Sequence, residues 1–450
     1  MASTTALCNV VGPGGIKSSC QAPKACTASV NAVGSIAPWR YHSASSAPSS
    51  NFLHNDLLKS QRRLSLQQNA ATRSGPQRAT PRARVAEQVG VKQALKYNKL
   101  GESDLMISEI TLGTMTWGNQ NTEKEAHEQL SYAFDQGINI FDSAEMYPVP
   151  PGPDTQGSTD RYISTWLKSQ PRDKVIVATK VAGRSDRINW LRDGGEVPAV
   201  DRKNVKESVE KSLRRLGTDH IDLLQIHWPD RYVALFGEDQ FDPSKRRAAV
   251  SFEEQLRALD EVIKEGKVRY VGVSNETSYG VLKFIHAAEQ HGLPRIVSIQ
   301  NNYSLLVRSK FEADLVETCT APDVNVGLLA YSPLTGGALS GKYLEPSSDA
   351  AKKGRFKVFP GYQNRYINQL ATEAIRAYAD VAAKHGYTST QLALAWARDQ
   401  SHVTSAIIGA TSMAQLKENL SAWTLPRPLP QEVHDDIAEV YKRYRDPTLF

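Results

Sequence analysis

The sequence predicts an α/β fold, a closed (β/α)8 TIM barrel with an N-terminal β-hairpin and long βα loops. Short apolar runs of strand length alternate with helical patterns of apolar residues eight times over about 320 residues. This alternation favours a parallel sheet whose strands are buried on both faces. No glycine-rich fingerprint of an open dinucleotide-binding sheet accompanies it. The alternation by itself leaves an open doubly wound sheet as the second possibility.

The elements follow one another in a regular order. A predicted hairpin turns at Gly101 and leads into the strand I-T-L-G-T-M, which ends near Met115. The first helix, over 123–136, has Thr122 as its N-cap, because a threonine hydroxyl can accept a hydrogen bond from the first turn. Later strands are short apolar runs, predicted at 138–142, 175–181, 221–228, 270–274, 296–300, 326–331 and 404–408. The remaining helices have apolar residues at three- and four-residue spacing and are predicted at 159–168, 203–216, 252–264, 279–290, 310–318, 368–385, 390–398, 413–420 and 431–443.

Three connections are longer than the few residues usual in such units. They cover residues 184–201, 230–251 and 335–365, and each follows a strand. Loops that follow the strands of a barrel border its catalytic mouth. We therefore expect these three loops to form substrate walls and a lid.

Charge is unevenly distributed along the 450 residues, whose formal net charge is +6. Residues 1–86 contain ten Lys or Arg against one acidic residue, a net +9, which leaves −3 for the rest of the chain. Because the folded part has no basic excess, nucleic acid is not expected as a partner. No apolar run approaches the ~18 residues of a membrane span, so no membrane association is expected either.

Residues 1–86 have the composition of a targeting segment. They begin Met-Ala-Ser, are rich in Ser, Ala, Gln and Arg, and contain no sustained apolar stretch like that of a secretory signal. This composition predicts a disordered transit peptide. The Met-Ala start and the high Ser/Thr content favour the chloroplast stroma over the mitochondrion. An ordinary disordered tail has a similar composition. The barrel domain is expected over 95–445.

No metal site is expected. Three of the four cysteines lie in the basic segment and only Cys319 lies beyond it, so the folded part has no C-x-x-C pair. The string H-A-A-E-Q-H at 286–291 spaces its histidines five residues apart, which does not place both imidazoles on one helix face.

Four chemistry-bearing residues stand at predicted strand ends. The stretch I-N-I-F-D-S-A-E-M-Y at 138–147 places Asp142 and Tyr147 at the end of one strand. Lys180 closes the next strand, and His227 closes the one after that. The carboxyl ends of parallel barrel strands meet at one mouth. We therefore expect these four side chains to lie together.

The chain resembles the aldo-keto reductase family, and more closely its Tas-type bacterial and plant branch, from about residue 97 to 425. The resemblance rests on motifs at successive strand ends, in the family's order. They are L-G-T-M-T-W-G at 112–118, G-I-N-I-F-D-S-A-E-M-Y at 137–147, A-T-K at 178–180, I-D-L-L-Q-I-H-W at 221–228, G-V-S-N at 272–275, A-Y-S-P-L-T-G-G at 330–337, G-K-Y at 341–343 and I-I-G-A-T-S-M-A-Q-L-K-E-N at 407–419.

The resemblance implies an NAD(P)H-dependent oxidoreductase that reduces a small aldehyde or ketone. Tyr147 would be the general acid, and Asp142 would hold Lys180 charged and oriented. His227 would form a hydrogen bond with the substrate oxygen. A phenol ordinarily titrates near ~10, and a neighbouring ammonium stabilises the phenolate. We therefore expect Lys180 to lower the pKa of Tyr147.

The resemblance also implies a set of cofactor contacts. Ser274, Asn275 and Gln300 match the positions that bind the nicotinamide carboxamide, and Tyr331 matches the aromatic residue that stacks on the ring. The other matched cofactor positions are Thr114, Met115, Ser332, Leu334, Gly336, Lys342, Gly409, Thr411, Gln415, Glu418 and Asn419. Arg355 or Arg365 in the long lid would add a further cation.

The chain departs from the family pattern at the adenine end. Many NADPH-preferring members have Arg or Lys there, whereas this chain has Ala410, Thr411 and Gln415, with Lys417 nearby. Hydroxyl and amide groups still bind phosphate, but they discriminate less than a full charge does. We expect NADPH as the cofactor, with NADH possible and a weaker preference than usual.

Two functions are compatible with these residues. The first is a reductase of small carbonyl compounds, with Trp117, Trp228, Tyr232 and Phe236 available to form an apolar pocket. The second is an NADP(H)-sensing regulatory subunit with little turnover, resembling the potassium-channel β-subunits. The complete set of four catalytic residues favours the reductase.

Overall fold

A closed barrel of eight parallel strands forms the centre of the computed structural model, which describes residues 95–238 and 240–449. Each strand pairs with the next along the chain, and the last pairs with the first through Ala406 and Ile110. The strands are β3 (Ile110–Gly113), β4 (Ile140–Asp142), β5 (Ile176–Val181), β6 (Ile221–Ile226), β7 (Val268–Ser274), β8 (Ile296–Asn302), β9 (Gly327–Tyr331) and β10 (Val403–Ile408). The predicted TIM barrel is confirmed, and the open sheet is excluded because β3 and β10 are hydrogen-bonded.

The predicted hairpin is also present and lies at the opposite end of the barrel from the mouth. It consists of β1 (Tyr97–Lys99) and β2 (Met106–Ser108), paired antiparallel. Leu100 and Ile107 pack with residues at the starts of the barrel strands, such as Ile140. The turn needs a glycine, because Gly101 has φ +52° and an added Cβ would lie 2.3 Å from the Val297 carbonyl oxygen.

Helices surround the barrel and follow the predicted order. They are α1 (Glu123–Asp135), α2 (Ser158–Leu167), α3 (Arg202–Leu216), α4 (Phe252–Lys264), α5 (Ser278–His291), α6 (Ser309–Glu312), α7 (Leu315–Thr320), α8 (Asp349–Lys352), α9 (Arg355–Val358), α10 (Gln369–Lys384), α11 (Ser389–Arg398), α12 (Met413–Ser421) and α13 (Gln431–Arg443). Thr122 caps α1 as predicted, and Glu125 completes the capping box. Short 3₁₀ turns lie at Arg172–Lys174, Asn189–Leu191, Pro243–Lys245, Thr335–Ser340, Asn364–Tyr366 and Ala422–Thr424.

One predicted helix is wrong, because two short helices are present in place of one. Residues 310–318 were expected to form a single helix, but α6 ends at Glu312 and α7 begins at Leu315. Asp314, with φ −146°, lies outside the helical region and separates the two. The apolar spacing runs across this break, so periodicity alone gives no signal of it.

Among the described residues, none of the helices combines the length and apolar character needed to cross a bilayer. The transit peptide predicted for residues 1–86 lies outside the described residues.

Candidate active site

A cavity of about 1280 Å³ opens at the carboxyl ends of the barrel strands. All three long loops contribute to its lining, through Arg184, Phe236 and Tyr362 among others, so their expected position at the mouth is confirmed. The lining also includes Asp142, Tyr147, His227 and every position matched to a cofactor contact. Those positions are Thr114, Met115, Ser274, Asn275, Gln300, Tyr331, Ser332, Leu334, Gly336, Lys342, Gly409, Thr411, Gln415, Glu418 and Asn419.

Lys180 lies beneath the cavity floor and joins the other catalytic candidates. Its side chain is completely buried. The Nζ atom donates to Asp142 Oδ2 at 2.6 Å and to the Ser143 carbonyl oxygen at 2.7 Å. The same atom lies 3.5 Å from the Tyr147 hydroxyl. The ends of β4 and β5 therefore meet as the strand order requires, and they place an ammonium, a carboxylate and a phenol in contact.

The expected lowering of the Tyr147 pKa is wrong for this arrangement. Burial raises the pKa of the Tyr147 phenol well above its ordinary value, and the negative charge of Asp142 raises it further. Burial also lowers the pKa of Lys180, against the opposing effect of Asp142. The ammonium is paired with a carboxylate at 2.6 Å, so its attraction for a phenolate does not outweigh the effects of burial and of Asp142 on the Tyr147 pKa.

His227 completes the group on the side of β6. Its ring centroid lies 5.7 Å from that of Tyr147, in an edge-to-face arrangement. Burial lowers the pKa of His227 well below its ordinary value, and Lys180 lowers it further. The imidazole is therefore neutral at physiological pH. Its Nδ1 atom is buried and has no hydrogen-bond partner within the described residues.

The Asp142 carboxylate has additional partners that orient it. Gln300 Nε2 donates to Asp142 Oδ1 at 2.9 Å, and Gln225 Nε2 lies 3.4 Å from the same oxygen. Gln300 therefore orients the Asp142 carboxylate as well as lining the cavity. Gln225 was missed from the sequence, although it lies on β6 two residues before His227, which directly follows the strand, and so points to the same side.

Ser274, Asn275 and Tyr331 form one hydrogen-bonded set at the ends of β7 and β9. Tyr331 Oη donates to Asn275 Oδ1 at 2.6 Å, and Asn275 Nδ2 donates to the His227 carbonyl oxygen at 2.8 Å. Ser274 Oγ donates to the Gln300 carbonyl oxygen at 2.7 Å. Asn275 has φ +54°, a conformation that asparagine tolerates better than most residues. These contacts fix the orientation of three side chains at the cavity wall.

The loop after β9 exposes backbone to the cavity beside two cations. Gly336 and Gly337 have φ +65° and +94°, and an added Cβ on Gly337 would lie 2.7 Å from Lys342 Nζ. Lys342 and Arg355 lie close enough for their charges to interact. Burial lowers the pKa of Lys342, and the positive charge of Arg355 lowers it further. Among the described residues, neither cation forms an ion pair with a carboxylate. The arrangement is suited to binding an anion.

The residues at the adenine-end positions are polar, but most of them form hydrogen bonds with one another. Gln415 Oε1 accepts from the Thr411 backbone N–H at 2.9 Å and from the Thr411 hydroxyl at 3.1 Å. Asn419 Nδ2 donates to the Gly409 carbonyl oxygen at 3.1 Å. Lys417, the nearest cation in sequence, does not line the cavity, and its Nζ lies 5.6 Å from the Tyr132 ring centroid. Full positive charge at this side of the cavity therefore comes from the loop after β9.

The expected aromatic walls are only partly correct. Trp228, Tyr232 and Phe236 line the cavity, whereas Trp117 is fully buried in the main hydrophobic core. The strand β3 ends at Gly113, so Trp117 lies in the turn that follows and packs beneath the mouth. The sequence position of a tryptophan just past a strand does not determine which way its side chain points.

A buried ion pair beside Tyr147 was not assigned from the sequence. Arg192 donates two hydrogen bonds to the Glu145 carboxylate, at 2.8 and 3.1 Å, and both side chains are almost completely buried. Glu145 Oε1 also accepts from the Ala182 backbone N–H at 2.6 Å. Glu145 is the only acid between Asp142 and Tyr147, which is a weak signal, but Arg192 lies in a long loop whose path cannot be read from periodicity.

Metal coordination has no candidate group here. Within residues 95–238 and 240–449, no cluster of three or more His, Cys, Asp or Glu side chains is arranged to hold an ion.

Comparison with known proteins gives consistent matches. A sequence model of the Aldo/keto reductase family matches residues 109–442. Protein tas from Escherichia coli (strain K12) is 46% identical over 357 residues, which cover 78% of this chain and 99% of that protein. An aldo-keto reductase from Babesia bovis is 38% identical over 282 residues, covering 61% of this chain and 98% of that protein. A probable voltage-gated potassium channel subunit beta from Arabidopsis thaliana is 29% identical over 347 residues, covering 77% and 96%.

The family match covers all eight barrel strands and every cavity position named above. The motifs at the strand ends, the closed barrel and these similarities agree. The chain belongs to the Aldo/keto reductase family and is an oxidoreductase.

Proposed function

We propose that the protein is an NADPH-dependent reductase of small aldehydes and ketones, with Tyr147 as the general acid. One observation carries this proposal. The Tyr147 hydroxyl lies 3.5 Å from a buried lysine, Lys180, that is itself paired with Asp142 at 2.6 Å, at the floor of a large cavity. A buried phenol held among positioned polar groups is suited to donate a proton to a carbonyl oxygen.

Each of the four side chains has a separate task. Tyr147 donates its proton to the substrate oxygen as negative charge develops there. Lys180 stabilises the resulting phenolate and is kept protonated by Asp142, which Gln300 in turn orients. His227 is neutral, so it forms a hydrogen bond with the substrate oxygen without competing as a stronger acid. Positioned acid catalysis of this kind contributes typically ~10²–10⁴-fold in rate.

The residues around the cavity fit a nicotinamide dinucleotide. Lys342, Arg355 and the backbone of Gly336 and Gly337 suit its phosphates, and Ser274 and Asn275 suit its carboxamide. When bound there, the reduced nicotinamide would supply the hydride. The chain's own contribution is to orient the ring through fixed hydrogen bonds and to exclude water with the three long loops. NADPH is preferred over NADH under this proposal, with Lys342 at the pyrophosphate that both cofactors carry and Arg355 at the additional phosphate that only NADPH carries.

Replacement of Tyr147 by phenylalanine tests the acid assignment. The phenyl ring preserves the packing against His227 and removes only the hydroxyl, so we expect kcat/KM for carbonyl reduction to fall by ~10²–10⁴-fold. NADPH affinity, measured by fluorescence titration, should remain close to that of the unmodified protein. As a control, Tyr232→Phe removes a hydroxyl that bonds Glu238 at the cavity rim. Retained turnover in the Tyr147→Phe variant would contradict the assignment of Tyr147 as the general acid.

A regulatory subunit that senses NADP(H) is the second candidate. It is supported by the 29% identity to the Arabidopsis thaliana protein named as a probable potassium channel subunit beta. Under this alternative, a single turnover of bound NADPH would be observed but steady-state reduction would be negligible. Comparison of single-turnover with steady-state rates therefore separates the two functions.

We also propose that residues 1–86 direct the protein to the chloroplast stroma. Their excess of basic over acidic residues and their Ser-rich composition support this. A fusion of residues 1–86 to a fluorescent protein, expressed in plant cells, should accumulate in the stroma. Accumulation in mitochondria or in the cytosol would contradict the proposal.

A further inference from the structure

Arginine side chains border the half of the cavity that lies away from the proposed cofactor contacts. Arg184 and Arg187 lie in the loop after β5, and Arg231 and Arg247 lie in the loop after β6. In the closed order of strands, β5 and β6 stand across the barrel from β9 and β10. The phosphate and adenosine contacts belong to β9 and β10. The arginines after β5 and β6 therefore face the substrate side of the cavity.

Some of the charge on this side is already neutralised. Arg231 forms a double hydrogen bond with Glu276, including one of 2.9 Å from Nη1. Glu238, the carboxylate in the lining of this region, is paired with Lys245 at 3.0 Å. The charges of Arg231 and Glu238 are therefore neutralised by their ion-pair partners and are not available to bind a ligand.

Arg184 and Arg247 are different, because the nearby carboxylate is bound by backbone groups. Asp230 accepts hydrogen bonds from the backbone N–H groups of Val200 at 3.1 Å and Val250 at 2.8 Å. Arg184 Nε forms a long ion pair with Asp230 Oδ2, at 3.8 Å, and no hydrogen bond within the described residues. Within the described part of the chain, Arg247 donates only to backbone carbonyl oxygens, those of Asp230 and Arg184. Both arginine side chains thus lie beside Asp230, and each keeps N–H groups that form no hydrogen bond with a side chain of the described residues.

A single tryptophan connects this arginine pair with the proposed reaction centre. Trp228 Nε1 donates to the Arg184 carbonyl oxygen at 3.1 Å. The centroid of the same side chain's ring lies 4.9 Å from that of His227, which in turn contacts Tyr147. A ligand with its carbonyl group at Tyr147 and His227 can therefore lie along Trp228 and reach the arginines.

We propose that the substrate carries an anionic oxygen group, a carboxylate or a phosphate, which Arg184 and Arg247 bind while its carbonyl group lies at Tyr147. The planar guanidinium fork matches either anion in geometry and charge. This inference rests on the proposed reductase function and specifies its substrate class. An apolar or aromatic segment between the two polar ends matches the Trp228 wall.

The test compares aldehydes that differ only in the group opposite the carbonyl. The full chain is assayed with NADPH and 4-carboxybenzaldehyde, 4-formylphenyl phosphate, or the neutral methyl 4-formylbenzoate. We expect kcat/KM for an anionic aldehyde to exceed that for the ester by about 10-fold or more, because a hydrogen bond between charged groups stabilises a complex by roughly that factor. The preference should weaken as salt screens the exposed charges. Whichever anion is preferred identifies the group as carboxylate or phosphate.

Variants of the arginines provide the decisive comparison. Arg184→Gln and Arg247→Gln should each reduce the ratio of anionic to neutral kcat/KM by about 10-fold. Arg246→Gln is the matched control, because Arg246 neighbours Arg247, lies over the Phe241 ring and does not line the cavity. It should leave the ratio unchanged. Arg247 is exposed and bonded only to backbone carbonyls, so its variant serves if Arg184→Gln does not fold.

Two failures are distinguishable. Reduction of the neutral ester with no preference for either anion, or with a ratio unchanged in both arginine variants, would overturn this inference and leave the reductase function standing. Reduction of none of the three aldehydes would contradict the reductase function, and the inference would fall with it.

Discussion

At the scale of single residues, the positive charge of Lys180 beside the Tyr147 phenol is paired with the negative charge of Asp142. Lys180 is paired with Asp142 at 2.6 Å and bonded to the Ser143 carbonyl oxygen, with Tyr147 as its third and longest contact at 3.5 Å. Burial raises the pKa of Tyr147 and lowers the pKa of Lys180, since it disfavours the charged form of each. The phenol is therefore fully protonated at neutral pH, as its proposed role of proton donor requires.

The pH dependence of carbonyl reduction follows from these directions. Because the pKa of Tyr147 is raised, the donor keeps its proton throughout the neutral and mildly alkaline range. Because the pKa of His227 is lowered, the imidazole stays neutral at pH values well below ~6.5, the ordinary pKa of histidine. We expect kcat/KM for reduction to be nearly constant from about pH 6 to pH 9. Alcohol oxidation, which needs the phenolate, should instead accelerate as pH rises.

Rate profiles in both directions, measured with one carbonyl–alcohol pair, check this expectation. A loss of reductive activity centred near the ordinary histidine value would mean that His227 titrates in the neutral range. It would contradict the burial of the imidazole. A neutral variant such as His227→Asn should show the same flat profile at a lower rate.

Arg355 is expected to contribute to NADPH affinity through its charge. It lines the cavity beside Lys342 and forms no ion pair within the described part of the chain. Arg355→Gln should weaken NADPH binding by about 10-fold or more, as the loss of one charge-assisted hydrogen bond does, and NADH binding by less. Lys357→Gln, on the same short helix but exposed, is the control. Equal weakening of both cofactors in Arg355→Gln would place Arg355 away from a phosphate that only NADPH carries.

At the scale of elements, one buried ion pair connects the loop that carries Tyr147 to the long loop after β5. Glu145 and Arg192 are fully desolvated, and their hydrogen bonds extend to the Ala182 backbone and to Asn204 in α3. Removing one partner of such a pair leaves an uncompensated charge in the interior. The pair therefore holds two mouth loops in one arrangement and positions Tyr147 indirectly.

Arg192→Met should be strongly destabilising. Breaking a buried pair by removing one partner typically costs ~3–5 kcal/mol, so the midpoint of thermal unfolding should fall by many degrees. Lys203→Met is the matched control, because Lys203 also pairs with a glutamate, Glu196, but both side chains are largely exposed. Its unfolding midpoint should change little. Similar midpoints for the two variants would show that Glu145 tolerates the loss of its partner.

At the scale of the whole molecule, the barrel and its cavity are built from residues beyond the basic N-terminal segment. The hairpin begins at Tyr97, and the cavity lining begins at Gly113. The family match likewise begins at residue 109. Each strand pairs with its neighbours along the chain, so closure needs no element from outside this region.

A chain that begins at residue 95 should therefore fold and remain active. We expect its unfolding midpoint and its kcat/KM for carbonyl reduction to match those of the full chain, since every strand, helix and lining residue described here is retained. Calorimetry and NADPH-linked assays of the two proteins side by side measure this. A clear loss of either quantity would assign a structural or catalytic part to residues 1–94.

Most of the architecture could be predicted from local pattern, because strand and helix periods are properties of neighbouring residues. The helix 252–264 and the closing helix 431–443 have the predicted bounds, and the hairpin turn falls at Gly101. The split between α6 and α7 could not be predicted, since apolar spacing continues across Asp314. The side chain of Trp117 was misplaced for a related reason, because turn geometry rather than spacing sets its direction.

The sequence by itself determined the order of the barrel units and the positions of Asp142, Lys180 and His227 at successive strand ends. Only the tertiary structure decided how these groups affect one another. Burial and the negative charge of Asp142 raised the pKa of Tyr147, and Gln300 reached Asp142 across 158 positions of the chain. The reason is physical: periodicity is local, whereas desolvation and ion pairing depend on which distant residues share one closed interior.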